Sequence, residues 1–228
     1  GYRLRFSKQW ERKENRAENF PLANDAGIGD GSQIALAGIC LDTQVFAWTE
    51  ATTFQCIGSG DNFLPTMIPN SRGIVGTKAV TAGDGRLFFV SQDGIYEQVG
   101  VQQRKITLSI DPFFLGITVD GNPAMNLDAI IRRDTRLQFY PDALNPMLVM
   151  LYSDTTSSTP NRRLVLKRSQ TVSQLTSQYI YLFQDCLFDD HAAVGMRSLF
   201  LDHEDNMLLA GGSDRQIWQL EDHSLNTD

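Results

Sequence analysis

The chain has 228 residues, with 20 Lys and Arg against 27 Asp and Glu and a formal net charge of −7. This length suits one large domain or two small ones, and the acidic balance argues against a protein that grips nucleic acid through many phosphate contacts. No apolar run approaches the roughly 20 residues that a membrane-spanning helix needs, so the sequence predicts no membrane insertion.

Residues 1–33 are polar and rich in turn residues. The run of mixed charge over residues 10–19 has no apolar residues recurring at helical spacing, and Gly and Asp cluster over residues 24–31. The sequence therefore predicts a polar N-terminal arm or surface loop over residues 1–33, followed by one β domain over residues 34–228.

From residue 34 onward, short runs rich in Val, Ile, Leu, Phe and Tyr are separated by clusters of Gly, Asp, Asn and Ser, a pattern that predicts β-strands joined by tight turns. Three segments share the order strand, turn, strand, turn, strand: 34–58, 78–100 and 195–222. A looser fourth unit over residues 129–170 predicts four strands, the first of them at residues 129–134. Residues 179–183 predict one further strand.

An antiparallel meander repeated along a chain is typical of a β-propeller, in which neighbouring blades bury each other's faces. We therefore expect an all-β fold of antiparallel meanders arranged as a β-propeller, with a β-sandwich of the same meanders as the alternative. Six large apolar residues are expected to fill the space between or within blades: Phe46, Trp48, Phe88, Tyr96, Leu208 and Trp218.

Patterns that would hold a metal or a cofactor are lacking. The three histidines, His191, His203 and His223, form no His-x-x-x-His spacing, and there is no Cys-x-x-Cys pair. Cys40 and Cys56 fall on predicted strands and are expected as small apolar residues. The sequence therefore predicts surface histidines, no metal site and no cofactor, and its three cysteines favour folding in a reducing compartment.

Acidic residues recur in the predicted turns, where an Asp side chain accepts hydrogen bonds from its own backbone: Asp30, Asp42, Asp61, Asp84, Asp93, Asp154, Asp205 and Asp214. Paired carboxylates could hydrolyse glycosides, but nothing in the pattern selects one pair. The sequence therefore predicts no enzyme and no catalytic residues. The dipeptide Asp93-Gly94 is expected at the two central positions of a type I′ turn, which both need positive φ.

One stretch of the chain resembles a known family. It contains the sequence Ser91-Gln92-Asp93-Gly94-Ile95-Tyr96, then Lys105-Ile106-Thr107 and, after a short spacing, Phe113-Phe114. These motifs resemble the propeller-bearing tail proteins of tailed bacteriophages, which include the nozzle and hub proteins of short-tailed phages. The resemblance extends over most of the chain, since Val45-Phe46-Ala47-Trp48 and residues 142–166 also resemble blades of that family.

The resemblance implies a structural protein of the virion tail, of nozzle, hub or adaptor type, forming part of a ring through which DNA passes during ejection. It implies other tail and connector proteins as partners, identical copies as neighbours in a homo-oligomeric ring, and contact with DNA only during its passage. Assembly would take place in the host cytoplasm. Family members are usually longer than this chain, which favours its being part of a longer polypeptide.

The mixed charge of residues 8–30 suggests that the arm reaches a neighbouring subunit, because these residues are too polar to hold a core. A carbohydrate-binding or glycoside-hydrolysing propeller is the alternative function. A cellular propeller used as an interaction platform is a third, which the irregular blade pattern disfavours.

Overall fold

A computed structural model describes residues 3–5, 25–28, 35–41, 44–59, 62–119, 123–141, 146–172, 179–182, 196–202, 204 and 207–222. The chain divides into two compact units, Gly1–Ile74 and Val75–Asp228. The predicted boundary between arm and domain, at residues 33 and 34, lies inside the first unit.

The first unit contains a two-stranded and a four-stranded antiparallel sheet. The two-stranded sheet pairs β1 (Arg3–Arg5) with β2 (Asp25–Gly27). The four-stranded sheet, here the first sheet, is a meander of β3 (Ala35–Leu41), β4 (Gln44–Thr49), β5 (Thr53–Ser59) and β6 (Asn62–Met67) in chain order. The described part of the predicted arm is therefore β-structure.

The core of the first unit forms around β4. Phe46 and Trp48 are fully buried, and Ile28, which follows β2, packs in a cluster with Ala47 and Phe54. One residue of the predicted polar arm, Ile28, therefore contributes to a core.

The second unit contains three successive meanders and two short helices. The second sheet consists of β7 (Val80–Gly83), β8 (Arg86–Ser91), β9 (Gly94–Val99) and β10 (Gln102–Lys105). A 3-10 turn (Leu108–Ile110), α1 (Asp111–Phe114) and α2 (Ala129–Arg132) follow. The third sheet consists of β11 (Arg136–Tyr140), β12 (Met147–Tyr152), β13 (Arg162–Val172) and β14 (Tyr179–Leu182). The fourth sheet consists of β15 (Met196–Asp202), β16 (Met207–Gly212) and β17 (Ile217–Asp222).

The predicted all-β fold of antiparallel meanders is confirmed, with one local correction. The strand predicted at residues 129–134 is wrong, because Ala129–Arg132 forms the short helix α2. Asp128 caps this helix, and its side chain accepts hydrogen bonds from the backbone N–H groups of Ile130 and Ile131. A carboxylate at the N-cap satisfies donors that a strand would have paired with a neighbour, so the local chemistry favours the helix.

Within the second unit, the first strands of successive meanders lie beside one another, as in the blades of a propeller. The N–H of Leu137 on β11 donates to the carbonyl of Lys78, just before β7, over 3.0 Å. Arg136, also on β11, donates from Nε to the carbonyl of Arg197 on β15 over 3.1 Å. The rings of Phe88 and Phe139 stack between the second and third sheets, with centroids 5.6 Å apart.

The six large residues expected in the interior are mostly there. Phe46, Trp48, Phe88, Tyr96 and Leu208 are buried, while Trp218 on β17 is only partly buried. Trp218 lies on the last strand of the fourth sheet, which packs against the third sheet through one face.

Candidate functional site: the motif cluster of the second sheet

The motif that carries the family resemblance begins at the hairpin between β8 and β9. Ser91 pairs with Gly94, so Gln92 and Asp93 are the central residues of this turn. The expectation that Asp93-Gly94 occupies the centre of a type I′ turn is therefore wrong. Two consecutive positive φ angles occur instead in the preceding hairpin, where Asp84 has φ 50° and Gly85 has φ 68°, while Gly94 follows its turn with φ 155°.

Gly94 is required by crowding. A Cβ atom at this position would lie 2.5 Å from Lys105 Cε and 2.5 Å from Thr107 Oγ1. The glycine of the motif therefore leaves room for the side chains of Lys105 and Thr107 beside the first residue of β9, and its φ of 155° also favours glycine.

Thr107 fixes the chain to the start of β9. Its buried Oγ1 accepts a hydrogen bond from the N–H of Ile95 over 3.0 Å, and the N–H of Ile106 donates to the carbonyl of Ile95 over 2.9 Å. The N–H of Ile110 donates to the carbonyl of Thr107 and starts the 3-10 turn. The hydroxyl of the motif thus completes backbone pairing where β10 ends.

Charged groups of the motif bind one another. Lys105 Nζ lies 2.6 Å from Asp111 Oδ1 and 3.9 Å from Asp93 Oδ2. The hydroxyl of Tyr96 donates to the same Asp93 oxygen over 2.9 Å. These contacts link the β8–β9 turn, the end of β10 and the start of α1. We call the set Asp93, Gly94, Tyr96, Lys105, Thr107 and Asp111 the motif cluster.

Arg132 holds the surroundings of the motif cluster together. It is buried, and its guanidinium donates to three backbone carbonyls: Nε to Asn126 over 2.7 Å, the Nη groups to Gln92 over 2.9 Å and to Phe114 over 2.6 Å. Desolvation by burial lowers the pKa of Arg132 below its ordinary value. The guanidinium therefore ties α2 to the β8–β9 turn and to the end of α1.

A second buried ionic group crosses three strands of the second sheet. Glu97 on β9, 3% exposed, lies 2.6 Å from the Nη1 of Arg86 on β8 and 2.6 Å from the Nη2 of Arg104 on β10. Two arginines satisfy both oxygens of this carboxylate, which is the arrangement that makes a buried charge tolerable.

Two of the described turn aspartates, Asp154 and Asp214, accept hydrogen bonds from backbone N–H groups, as predicted, whereas Asp93 contacts the side chains of Tyr96 and Lys105. Asp154 accepts from the N–H and Oγ1 of Thr156 over 2.8 Å and 2.6 Å, and from Nε of Arg162 over 2.9 Å. Burial alone would raise its pKa, but these hydrogen bonds outweigh burial and lower the pKa to about 2. Asp214 likewise accepts from the N–H of Gln216 over 3.1 Å. A carboxyl with so low a pKa is unsuited to act as a general acid at neutral pH.

Other predicted positions are placed only in part. Cys56 is buried, and desolvation raises its pKa, which favours the unreactive thiol. Cys40 lies on β3, on a strand as predicted. Eight positions lie outside the described residues: the histidines His191, His203 and His223, the third cysteine, Cys186, and the predicted turn aspartates Asp30, Asp42, Asp61 and Asp205.

Within the described part of the chain, no three His, Cys, Asp or Glu side chains are grouped so that they could hold a metal ion. In the same residues, no helix has the length and apolar character needed to cross a membrane. The polar groups of the motif cluster contact one another, so the arrangement is suited to holding a scaffold in shape.

Sequence reasoning missed Arg132 and the group around Glu97. A signal was present in both cases, because each is a charged residue that directly follows two large apolar residues, in Ile-Ile-Arg and Ile-Tyr-Glu. Such a residue inside a predicted element indicates a buried and paired charge.

No protein-family model and no curated protein matches this chain. Two solved structures are similar to it, both from B. thetaiotaomicron: an extracellular domain named as that of a one-component system and one named as that of a hybrid two-component system. The identities are 14% and 13%, the TM-scores 0.32 and 0.31, and the match covers 90% of this chain in each case. This chain spans about 30% of the length of those structures. TM-scores of this size do not indicate a shared fold.

Proposed function

We propose that this chain is a structural module of a bacteriophage tail, of nozzle, hub or adaptor type, which assembles with identical copies into a ring through which DNA passes. The observation that carries the proposal is the motif cluster. The residues that resemble the tail-protein family are the residues that interlock the second sheet, the 3-10 turn and α1. A shared motif with a scaffolding role fits a protein whose task is to keep its shape under load.

The net charge of the chain supports the proposed role in a DNA-conducting ring. A net charge of −7 would repel DNA moving through a channel built from many copies. The polar side chains of the motif cluster and of the turn aspartates are engaged in internal contacts, which suits a rigid part. The carbohydrate alternative has no comparable support, since the described turn aspartates Asp93, Asp154 and Asp214 each bind neighbouring groups in their own hairpin.

The test is the form of the purified protein. Light scattering and cryo-electron microscopy of the intact chain at micromolar concentration should show one closed ring with an axial opening. Addition of linear double-stranded DNA at physiological salt should leave the ring unbound, because the acidic surface repels it. Monomers that bind an oligosaccharide on a glycan array would contradict the proposal and favour the carbohydrate alternative.

A matched pair of variants tests whether assembly depends on the motif cluster. The control variant carries both Lys78→Glu and Lys167→Glu. These two lysines are exposed and lie outside the motif cluster, so the variant changes the net charge and should leave the ring intact. The variant Gly94→Val should disturb the packing of Lys105 and Thr107 and lose the ring through loss of the folded second sheet.

A further inference from the structure

We draw no further inference here: the strongest candidate, the apolar surface patch of Leu108, Leu115, Ile117, Leu127 and Ile130 on the segment between β10 and β11, carries no proposal because nothing in the structure shows what covers it.

Discussion

The third and fourth sheets have the same meander but differ in how far their strands are buried. All six residues of β12 in the third sheet are buried, whereas β16 in the fourth alternates between buried and partly exposed residues. Within the second unit, the third sheet contacts the second through the stacked rings of Phe88 and Phe139 and the fourth through a cluster containing Leu208.

The burial of a strand's side chains therefore depends on whether its sheet has neighbouring sheets on both faces or on one. A sheet with a neighbour on each face buries both sets of alternating side chains, and its strands then have continuous apolar sequences. The sequences Met-Leu-Val-Met-Leu-Tyr of β12 and Met-Leu-Leu-Ala-Gly-Gly of β16 are both apolar. The open face of β16 is therefore apolar without being covered in the second unit.

The largest expected effect comes from leucine-to-alanine substitutions on these two strands. Leu148→Ala and Leu151→Ala change opposite faces of β12, and each should lower the free energy of unfolding by about 2–5 kcal/mol, because both side chains are fully buried. On β16, Leu208→Ala should cost the same, but Leu209→Ala less than about 1 kcal/mol. Urea unfolding of dilute protein measures all four. Equal losses of unfolding free energy at Leu208 and Leu209 would contradict the expected difference between the two faces of β16.

Substitution of Arg132 tests the hydrogen bonds that tie α2 to the β8–β9 turn of the second sheet. Arg132→Met leaves three backbone carbonyls, of which that of Phe114 is in a buried contact, without their donor and should cost roughly 3 kcal/mol of unfolding free energy. Arg133→Met is the matched control, since Arg133 is exposed, and it should change stability by less than about 0.5 kcal/mol. Thermal unfolding followed by circular dichroism gives both values, and equal effects would show that the carbonyl contacts contribute little.

The hairpin of the third sheet should respond to acid through Asp154. The pKa of Asp154, in the β12–β13 hairpin, is about 2 against an ordinary 3.8. The charged carboxylate therefore stabilises the folded state above about pH 4, by roughly 2 kcal/mol, and this contribution is lost as the pH falls toward 2.

Asp154→Asn should lower stability at pH 7 by about that amount and flatten the decline between pH 4 and pH 2. The matched variant in the fourth sheet is Asp214→Asn. Asp214 is exposed and accepts a hydrogen bond from the N–H of Gln216. An asparagine side chain can accept the same hydrogen bond. Denaturant titrations at a series of pH values should show the flattened decline for Asp154→Asn, and at pH 7 Asp214→Asn should be as stable as the wild type.

The smallest changes in stability are expected where one side-chain hydroxyl oxygen accepts a hydrogen bond from a backbone N–H. Thr107→Val leaves the buried N–H of Ile95 unpaired and should cost about 1–2 kcal/mol. Ser198→Ala, in the fourth sheet, removes the acceptor of the Gly211 N–H at a partly exposed site, where water can replace it, and should cost less than about 0.5 kcal/mol. Hydrogen exchange at Ile95 and Gly211 reports each site, and similar gains in exchange would contradict the expected difference.

The sequence was most informative where a strand and its turn have their own local signature. The strands β4, β8 and β16 follow from apolar runs between Gly and Asp turns, and the all-β fold follows from their repetition. The fourth strands β6 and β10 were missed because Pro65 and the polar run Gln-Gln-Arg-Lys hide a strand pattern that neighbouring strands enforce.

The motif cluster could be located from the sequence but not explained by it. The glycine of the motif was expected at the centre of its turn, but it follows the turn with φ 155° and makes room for Lys105 and Thr107, which come more than ten positions later. Contacts between residues so far apart in the chain depend on the register of β9 and β10, and composition and periodicity do not specify that register.

The bonds of Arg132 also bear on how this protein tolerates change. All three acceptors are main-chain carbonyls, and every residue type supplies a carbonyl. The side chains of Gln92, Phe114 and Asn126 are therefore not constrained by the contacts that their own backbone makes with the guanidinium. These contacts depend on the identity of one side chain, that of Arg132. Related chains could therefore keep the contacts while the sequences of the bound segments diverge beyond recognition.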